Sequence, residues 1–261
     1  MAAAATNYNA TEMMTIAAAR ALRNDDICFV GIGMPSAACN LARLTHAPNL
    51  TLIYESGTIA TKPDVLPLSI GDGELCDTAL TTVSVPEMFR YWLQGERFTV
   101  GFLGGAQIDR FANLNTTVVG PYDKPKTRLP GGGGAPEISS SCGEIFIIMR
   151  QSPRSFVAKL DFVTSFGHGG GGDHRTRMGI RTKGPTKLIT DLAVFEPDSV
   201  TREMTVTFIH PGVTREEIEA NTGWPVRFAP EVAVTPVPND RELSVLRELN
   251  ARTARAHGEA A

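Results

Sequence analysis

The chain has 261 residues, 42% of them hydrophobic and 20% charged, which suits a globular α/β protein with a sizeable core. A formal net charge of −3 excludes a chain whose bulk charge draws it to nucleic acid or to an anionic membrane. The apolar runs fall far short of the ~20 residues that cross a bilayer. The N-terminus, Met-Ala-Ala-Ala-Ala-Thr-Asn-Tyr, lacks the basic stretch and apolar core of a secretory signal, so a cytoplasmic enzyme is expected.

In chain order, Thr11 to Arg23 reads as a first helix, capped by Thr11, with Met13, Met14, Ile16, Ala17 and Leu22 on its apolar face. Asn24-Asp25-Asp26 is a turn. Ile27 to Ile32 is a short continuous apolar run of the kind found in buried parallel strands. Gly31-Ile32-Gly33-Met34-Pro35-Ser36 then turns into a helix over Ser36 to Leu44, and Leu50 to Tyr54 forms a second buried strand. This is a βαβ unit, which binds ligands at the C-terminal ends of its strands.

Further along, Pro86 to Gln94 reads as helix and Phe98 to Leu103 and Ile145 to Met149 as strands. Phe162 to Ser165 and Lys187 to Thr190 are predicted as shorter strands. Leu192 to Glu196 and Met204 to Ile209 form a hairpin around Pro197-Asp198-Ser199. A short helix follows over Thr214 to Asn221, capped by Thr214, and a mostly polar helix over Arg241 to His257. The expected fold is therefore α/β, an open and mostly parallel sheet flanked by helices, with a C-terminal hairpin and helices. One domain over residues 1–261 is expected, since no stretch rich in Pro, Gly or Ser reads as a linker and no repeat is visible.

Glu55 stands where the strand ending at Tyr54 breaks into Ser56-Gly57. A carboxylate at such a strand end, partly shielded from water, can attack an activated acyl group to give an anhydride. An isolated Glu after a strand is as readily a capping or solvent-facing group, so its neighbours decide. Gly31-Ile32-Gly33 precedes a helix, where close backbone approach and N-terminal amides can hold an oxyanion or a phosphate, or where the glycines merely allow a packing turn. It lacks the third glycine and the ribose-binding acid of a dinucleotide fingerprint. The run Gly131-Gly132-Gly133-Gly134 costs backbone entropy and reads either as a surface loop or as an amide cradle. Gln107 follows the strand ending at Leu103 and can donate to a developing oxyanion, while Asp109 and Asn113 tie their own loop through Asx turns.

Gly167 to Arg175 carries His168 and His174 with Asp173 between, but the wide spacing does not suit a zinc site, and no metal is expected. The segment reads as a mobile loop whose Arg175 and Arg177 can meet a carboxylate. Cys28, Cys39 and Cys142 read as buried reduced thiols, and Cys76 lies among acidic residues that disfavour a reactive thiolate. This usage fits a reducing compartment.

These blocks, in this order, resemble the class I coenzyme A transferases, and within them the β subunits. Tyr54-Glu55-Ser56-Gly57 is similar to that family's glutamate motif. Phe29 to Gly33, Leu52 to Gly57, Leu66 to Leu75, Phe89 to Gly95, Arg128 to Gly131, Lys159 to Phe162 and His210 to Arg215 resemble the branch that acts on 3-oxoadipate, related to the glutaconate enzymes. The likeness runs from about residue 8 to the C-terminus.

The resemblance implies transfer of CoA from succinyl-CoA to 3-oxoadipate, a step of aromatic-compound degradation, through a thioester on Glu55. It implies that amides around Gly31-Ile32 and Gly131–Gly134 hold the oxyanion. It also implies that CoA enters as a thioester substrate rather than a resident cofactor, and that an α subunit completes the site, in an assembly of two copies of each. Arg90, Arg128 and Arg175 are candidates for the distal carboxylate of the acid. Two alternatives share the scaffold: transfer to another dicarboxylate such as glutaconate, and hydrolysis of a steroid-derived CoA ester by a branch that lacks the nucleophilic Glu. A sugar-phosphate-binding module without catalysis is a third reading, and it leaves Glu55 without a role.

Overall fold

The structure, a computed structural model, describes residues 7–258, so most of the N-terminal segment read above for a signal lies outside the described residues. Among them no helix is long and apolar enough to cross a membrane. The chain divides into two compact units: the first holds the residues through Phe102 and those from Val237 on, and the second is Leu103–Pro236.

The first unit begins with α1 (Ala10–Ala21), β1 (Ile27–Val30), α2 (Met34–Thr45) and β2 (Thr51–Tyr54). Asn9 caps α1, not Thr11. Its side chain accepts from the Glu12 amide while the Glu12 carboxylate accepts from the Asn9 amide. This reciprocal pair satisfies two otherwise orphaned donors, which a threonine inside the first turn cannot do. β1 and β2 are parallel and in register from Ile27 opposite Thr51 to Val30 opposite Tyr54, with α2 as the crossover, as the sequence predicts. The small side chains Ala37, Ala38, Cys39 and Ala42 are buried along α2 and let it lie close on its neighbours.

Next come β3 (Thr58–Ile59), α3 (Gly73–Asp77), β4 (Thr81–Thr82), α4 (Val85–Glu87) and β5 (Val100–Leu103). β5 pairs with the other side of β1, also parallel. β3 and β4 have no counterpart in the sequence pattern: they turn back antiparallel from β2. The helix expected over Pro86 to Gln94 forms only as the three residues of α4, capped by Ser84, and then widens into a π-helical turn at Met88–Leu93. There the Gln94 amide reaches back to the Phe89 carbonyl.

The second unit runs through β6 (Gln107–Ile108), β7 (Leu114–Asn115), β8 (Val118–Val119), β9 (Thr127–Arg128), α5 (Ala135–Ser141), β10 (Glu144–Ile148), α6 (His174–Arg177) and β11 (Pro185–Ile189). β12 (Ala193–Pro197), β13 (Met204–Ile209), α7 (Arg215–Ala220) and β14 (Arg227–Val234) complete it. β10 and β11 are parallel, β11, β12 and β13 alternate in direction, and β14 lies parallel to β13. The predicted hairpin is β12–β13, and Thr214 caps α7 by accepting from the Glu217 amide.

Phe162 to Ser165 is not a strand. Only Ser165 makes a bridge, to Leu114, and the Thr164 hydroxyl is taken by the Thr116 amide and the Thr117 hydroxyl. β14 escapes sequence reading because Pro230 and Glu231 interrupt its pattern, as an edge strand tolerates.

The last helix, α8 (Asp240–Ala256), belongs to the first unit. Asn239 and Glu242 form a second capping box. Leu243, Leu246 and Leu249 are its buried seam, and α8 packs on α1 and α2. Arg20 fixes it to α1 with paired hydrogen bonds to Glu242 at 2.7 and 2.6 Å.

Candidate active site

In the first unit the site is built at the C-terminal ends of two adjacent parallel strands. Val30 is the last paired residue of β1 and Tyr54 the last of β2, opposite one another, so Gly31 and Glu55 leave the sheet at the same level. Glu55 and Ser56 are the two corner residues of a tight turn closed by the Gly57 amide on the Tyr54 carbonyl at 2.9 Å. Beyond it the chain reverses into β3, so the Glu55 turn is the tip of a hairpin.

Two contacts fix this tip. Gly57 has φ +98°, and a Cβ there would fall 2.0 Å from the Val83 carbonyl oxygen. The same carbonyl-bearing segment returns the Val83 amide to the Gly57 carbonyl at 2.9 Å. Only glycine permits both the left-handed conformation and the close approach. Behind the turn, the fully buried Tyr54 places its hydroxyl 2.7 Å from Ser36 Oγ in the first turn of α2. Burial pushes the Tyr54 phenol far above its ordinary range, so it stays protonated and rigidly tethers the strand end to the helix.

Glu55 itself is half-buried. Beside it, the Ser56 and Thr58 hydroxyls are buried and find no hydrogen-bond partner among the described residues. Sequence reasoning passes over both, although hydroxyl residues flanking a candidate nucleophile are a signal that could have found them. Two buried donors without acceptors among the described residues are costly unless something else engages them.

Gly33 (φ +80°) is the N-cap of α2 and offers no side-chain cap. The first-turn amides of Met34 and Ser36 lack intrahelical acceptors, as at any helix start. Gly31, Ile32 and Gly33 thus join β1 to α2 at the same end of the sheet at which Glu55 leaves β2.

The remaining candidates lie in the second unit. Gly131 is anchored at both its groups: its amide donates to the Thr116 carbonyl at 2.8 Å and its carbonyl accepts from Thr116 Oγ1 at 2.7 Å. Gly131 and Gly133 hold positive φ, and Gly134 caps α5. The loop is thus tied at its ends, with Gly132 and Gly133 between.

Gln107 is engaged differently from the expectation of an oxyanion donor. It is buried, its Nε2 donates to Asp161 at 2.9 Å, and its Oε1 accepts from Asn115 Nδ2 at 2.7 Å and from the Asp161 amide at 3.2 Å. This carboxamide clamps loops. Asp109 behaves as predicted, accepting from the Phe111 and Asn113 amides.

The loop from Gly167 to Arg175 is pinned, against the expectation of mobility. Asn113 Oδ1 accepts from the Gly167 and Gly169 amides. Arg175 is buried and donates to the carbonyls of Phe166, Gly167, Ser139 and Thr182 and to Thr182 Oγ1, so its guanidinium is a structural hub rather than a carboxylate receptor. His168 and His174 are each held by backbone, the first on the Pro185 carbonyl and the second on the Gly170 amide. No group of three metal-binding side chains gathers among the described residues. The four cysteines are free thiols; Cys28, Cys39 and Cys142 are buried and Cys76 is exposed.

A family model of coenzyme A transferases matches residues 11–221. The chain belongs to the coenzyme A transferase family. It is 61% identical over 252 residues to the β subunit of the 3-oxoadipate CoA-transferase of Pseudomonas knackmussii, covering 97% of each chain. It is 32% identical to the β subunit of the glutaconate CoA-transferase of Acidaminococcus fermentans, over 93% of this chain and 92% of that one. The solved structure of glutaconate coenzyme A-transferase from the same organism superposes with a TM-score of 0.89 at 29% identity, covering 95% of this chain and 97% of that one.

Proposed function

We propose that this chain is the β subunit of a CoA-transferase that moves CoA from succinyl-CoA to 3-oxoadipate, with Glu55 as the covalent nucleophile. The observation that carries the reading is the placement of Glu55 at the tip of a glycine-locked turn, level with Gly31 on the neighbouring parallel strand. The acceptor acid rests on the 61% identical relative, a 3-oxoadipate CoA-transferase subunit.

The steps balance without any other reactant. A Glu55 carboxylate oxygen attacks the succinyl carbonyl carbon, and the C–S bond breaks to release CoA thiolate and leave a mixed anhydride. The thiolate attacks the Glu55 carbonyl carbon, succinate leaves, and Glu55 holds CoA as a thioester. A carboxylate of 3-oxoadipate attacks that thioester, releasing the thiolate again. Attack of the thiolate on the oxoadipyl carbonyl then gives the product and restores the Glu55 carboxylate. Exclusion of water conserves the thioester through both anhydrides.

In this reading the amides around Gly31, Ile32 and Gly33, with those of Gly132, Gly133 and Gly134 beyond the anchored Gly131, receive oxyanion charge or CoA. Gln107 serves by holding its loops. CoA is a substrate and no resident cofactor is invoked. The two units work as one domain, an α subunit supplies the rest of the site in an α2β2 assembly, and the enzyme is cytoplasmic. The presence of Glu55 favours transfer over hydrolysis.

The test uses the chain co-expressed with its partner. Incubation with succinyl-CoA followed by borohydride should modify the peptide containing Glu55. Glu55→Gln should abolish that label and lower turnover by on the order of 10³-fold or more, the scale on which a covalent nucleophile is lost. Full transfer activity in Glu55→Ala would overturn the assignment.

A further inference from the structure

The second unit carries a concentration of positive charge to which the transfer chemistry gives no role. A cavity of about 460 Å³ is lined by His168, Arg175, Arg181, Lys183 and Arg202, with Thr176 and Thr182 between them. Four cationic residues line it, and no Asp or Glu among the described residues does. A cleft walled by one sign of charge concentrates counter-ions.

The floor of this cavity is fixed. Arg175 is held by backbone carbonyls, and Gly184 (φ +74°) passes so close that a Cβ would sit 2.8 Å from the guanidinium carbon. Burial lowers the Arg175 pKa to about 10, so it remains charged at neutral pH. His168 donates from Nε2 to the Pro185 carbonyl at 2.7 Å, which leaves Nδ1 an acceptor in the neutral ring.

The rim residues Arg181, Lys183 and Arg202 are exposed. Lys183 Nζ lies 3.9 Å from Glu144, whose other carboxylate oxygen accepts from Thr186. Arg202 occupies the left-handed region at φ +62°, held there by its amide on the Asp198 carbonyl at the end of a turn that the Asp198 side chain organises.

We propose that this cavity binds a small anion carrying phosphate groups, with phosphoryl oxygens between Arg181, Lys183 and Arg202 above the fixed charge of Arg175. One carboxylate neutralises one cation; a phosphate monoester or pyrophosphate brings two or more charges into the same volume with oxygens suited to guanidinium forks. The phosphate can belong to CoA or to a free anion. Only the CoA source rests on the transferase reading, and the site itself does not.

The test is isothermal titration of the co-purified complex with CoA, with dephospho-CoA and with inorganic pyrophosphate, in the unaltered protein and in Arg202→Gln and Lys183→Gln. Both substituted side chains are at the exposed rim, and thermal melts check that each variant is folded. Binding of CoA or pyrophosphate should weaken about tenfold in each variant, the scale of one lost charge-assisted contact. It should also weaken with added salt and persist in Glu55→Gln. If pyrophosphate displaces CoA, CoA is the source; if both bind together and only pyrophosphate responds to the variants, the site serves a free anion. If neither ligand binds, or if both bind unchanged in the two variants, the proposal falls.

Discussion

Gly57 and Gly33 look alike in the sequence and differ in what they permit. Both hold positive φ, but a Cβ at Gly57 meets the Val83 carbonyl at 2.0 Å whereas nothing lies within 4 Å at Gly33. Gly57→Ala should therefore destabilise the chain by about 3 kcal/mol or more, through strain and overpacking together. Gly33→Ala should cost about 1 kcal/mol from conformation alone. Thermal unfolding of the two variants side by side checks the contrast, and equal melting temperatures would refute it. At this scale the sequence is legible where chemistry is local. Asp109 ties its own loop and Thr214 caps its helix because both act within four residues. It is illegible for Gln107 and Arg175, whose partners Asp161 and Ser139 lie 54 and 36 residues away.

Among elements, the βαβ start is readable because β1 and β2 are short, mostly apolar and buried runs separated by a crossover of helical period. The short strands β3, β4 and β6 to β9 have two residues each and carry no period to read. The glycine-rich loop around α6 shows how a motif can mislead: its composition suggests motion, while Arg175 ties it down through four backbone carbonyls, of Phe166, Gly167, Ser139 and Thr182. Arg175→Met should leave those carbonyls buried without donors and cost roughly 3 kcal/mol or more. Arg175→Lys should fail to rescue, because an ammonium cannot span carbonyls set for a planar fork. Urea denaturation of the two variants tests this, and near-native stability of the Lys variant would sink the account.

For the molecule as a whole, the buried histidines make stability depend on pH. Burial, and after it the charges of Arg175 and Arg202, hold His168 down to about 4 despite its bond to Pro185. Burial likewise depresses His210, which spans the Thr190 carbonyl and the Thr235 hydroxyl. The unfolded chain takes up protons as pH falls through about 6.5 while the folded chain does not. Stability is thus fully present above that value and is lost as pH falls toward 4, by roughly 3 kcal/mol for His168. Urea titrations from pH 8 to 4 should show the decline, and His168→Gln should flatten it; an unchanged slope would count against the assignment.

The return of α8 to the first unit has a consequence for how the chain is made. Residues 103–236 leave the ribosome as one contiguous block with all of that unit's strands in hand. The first unit, although synthesised earlier, must wait for Leu243, Leu246 and Leu249 before the helices α1 and α2 gain their last neighbour. Domains generally fold as they emerge, yet here the earlier-made half, which bears Glu55, is the one completed last. The nascent chain therefore carries Glu55 early in translation and completes the unit around it only once residues 237–256 have emerged.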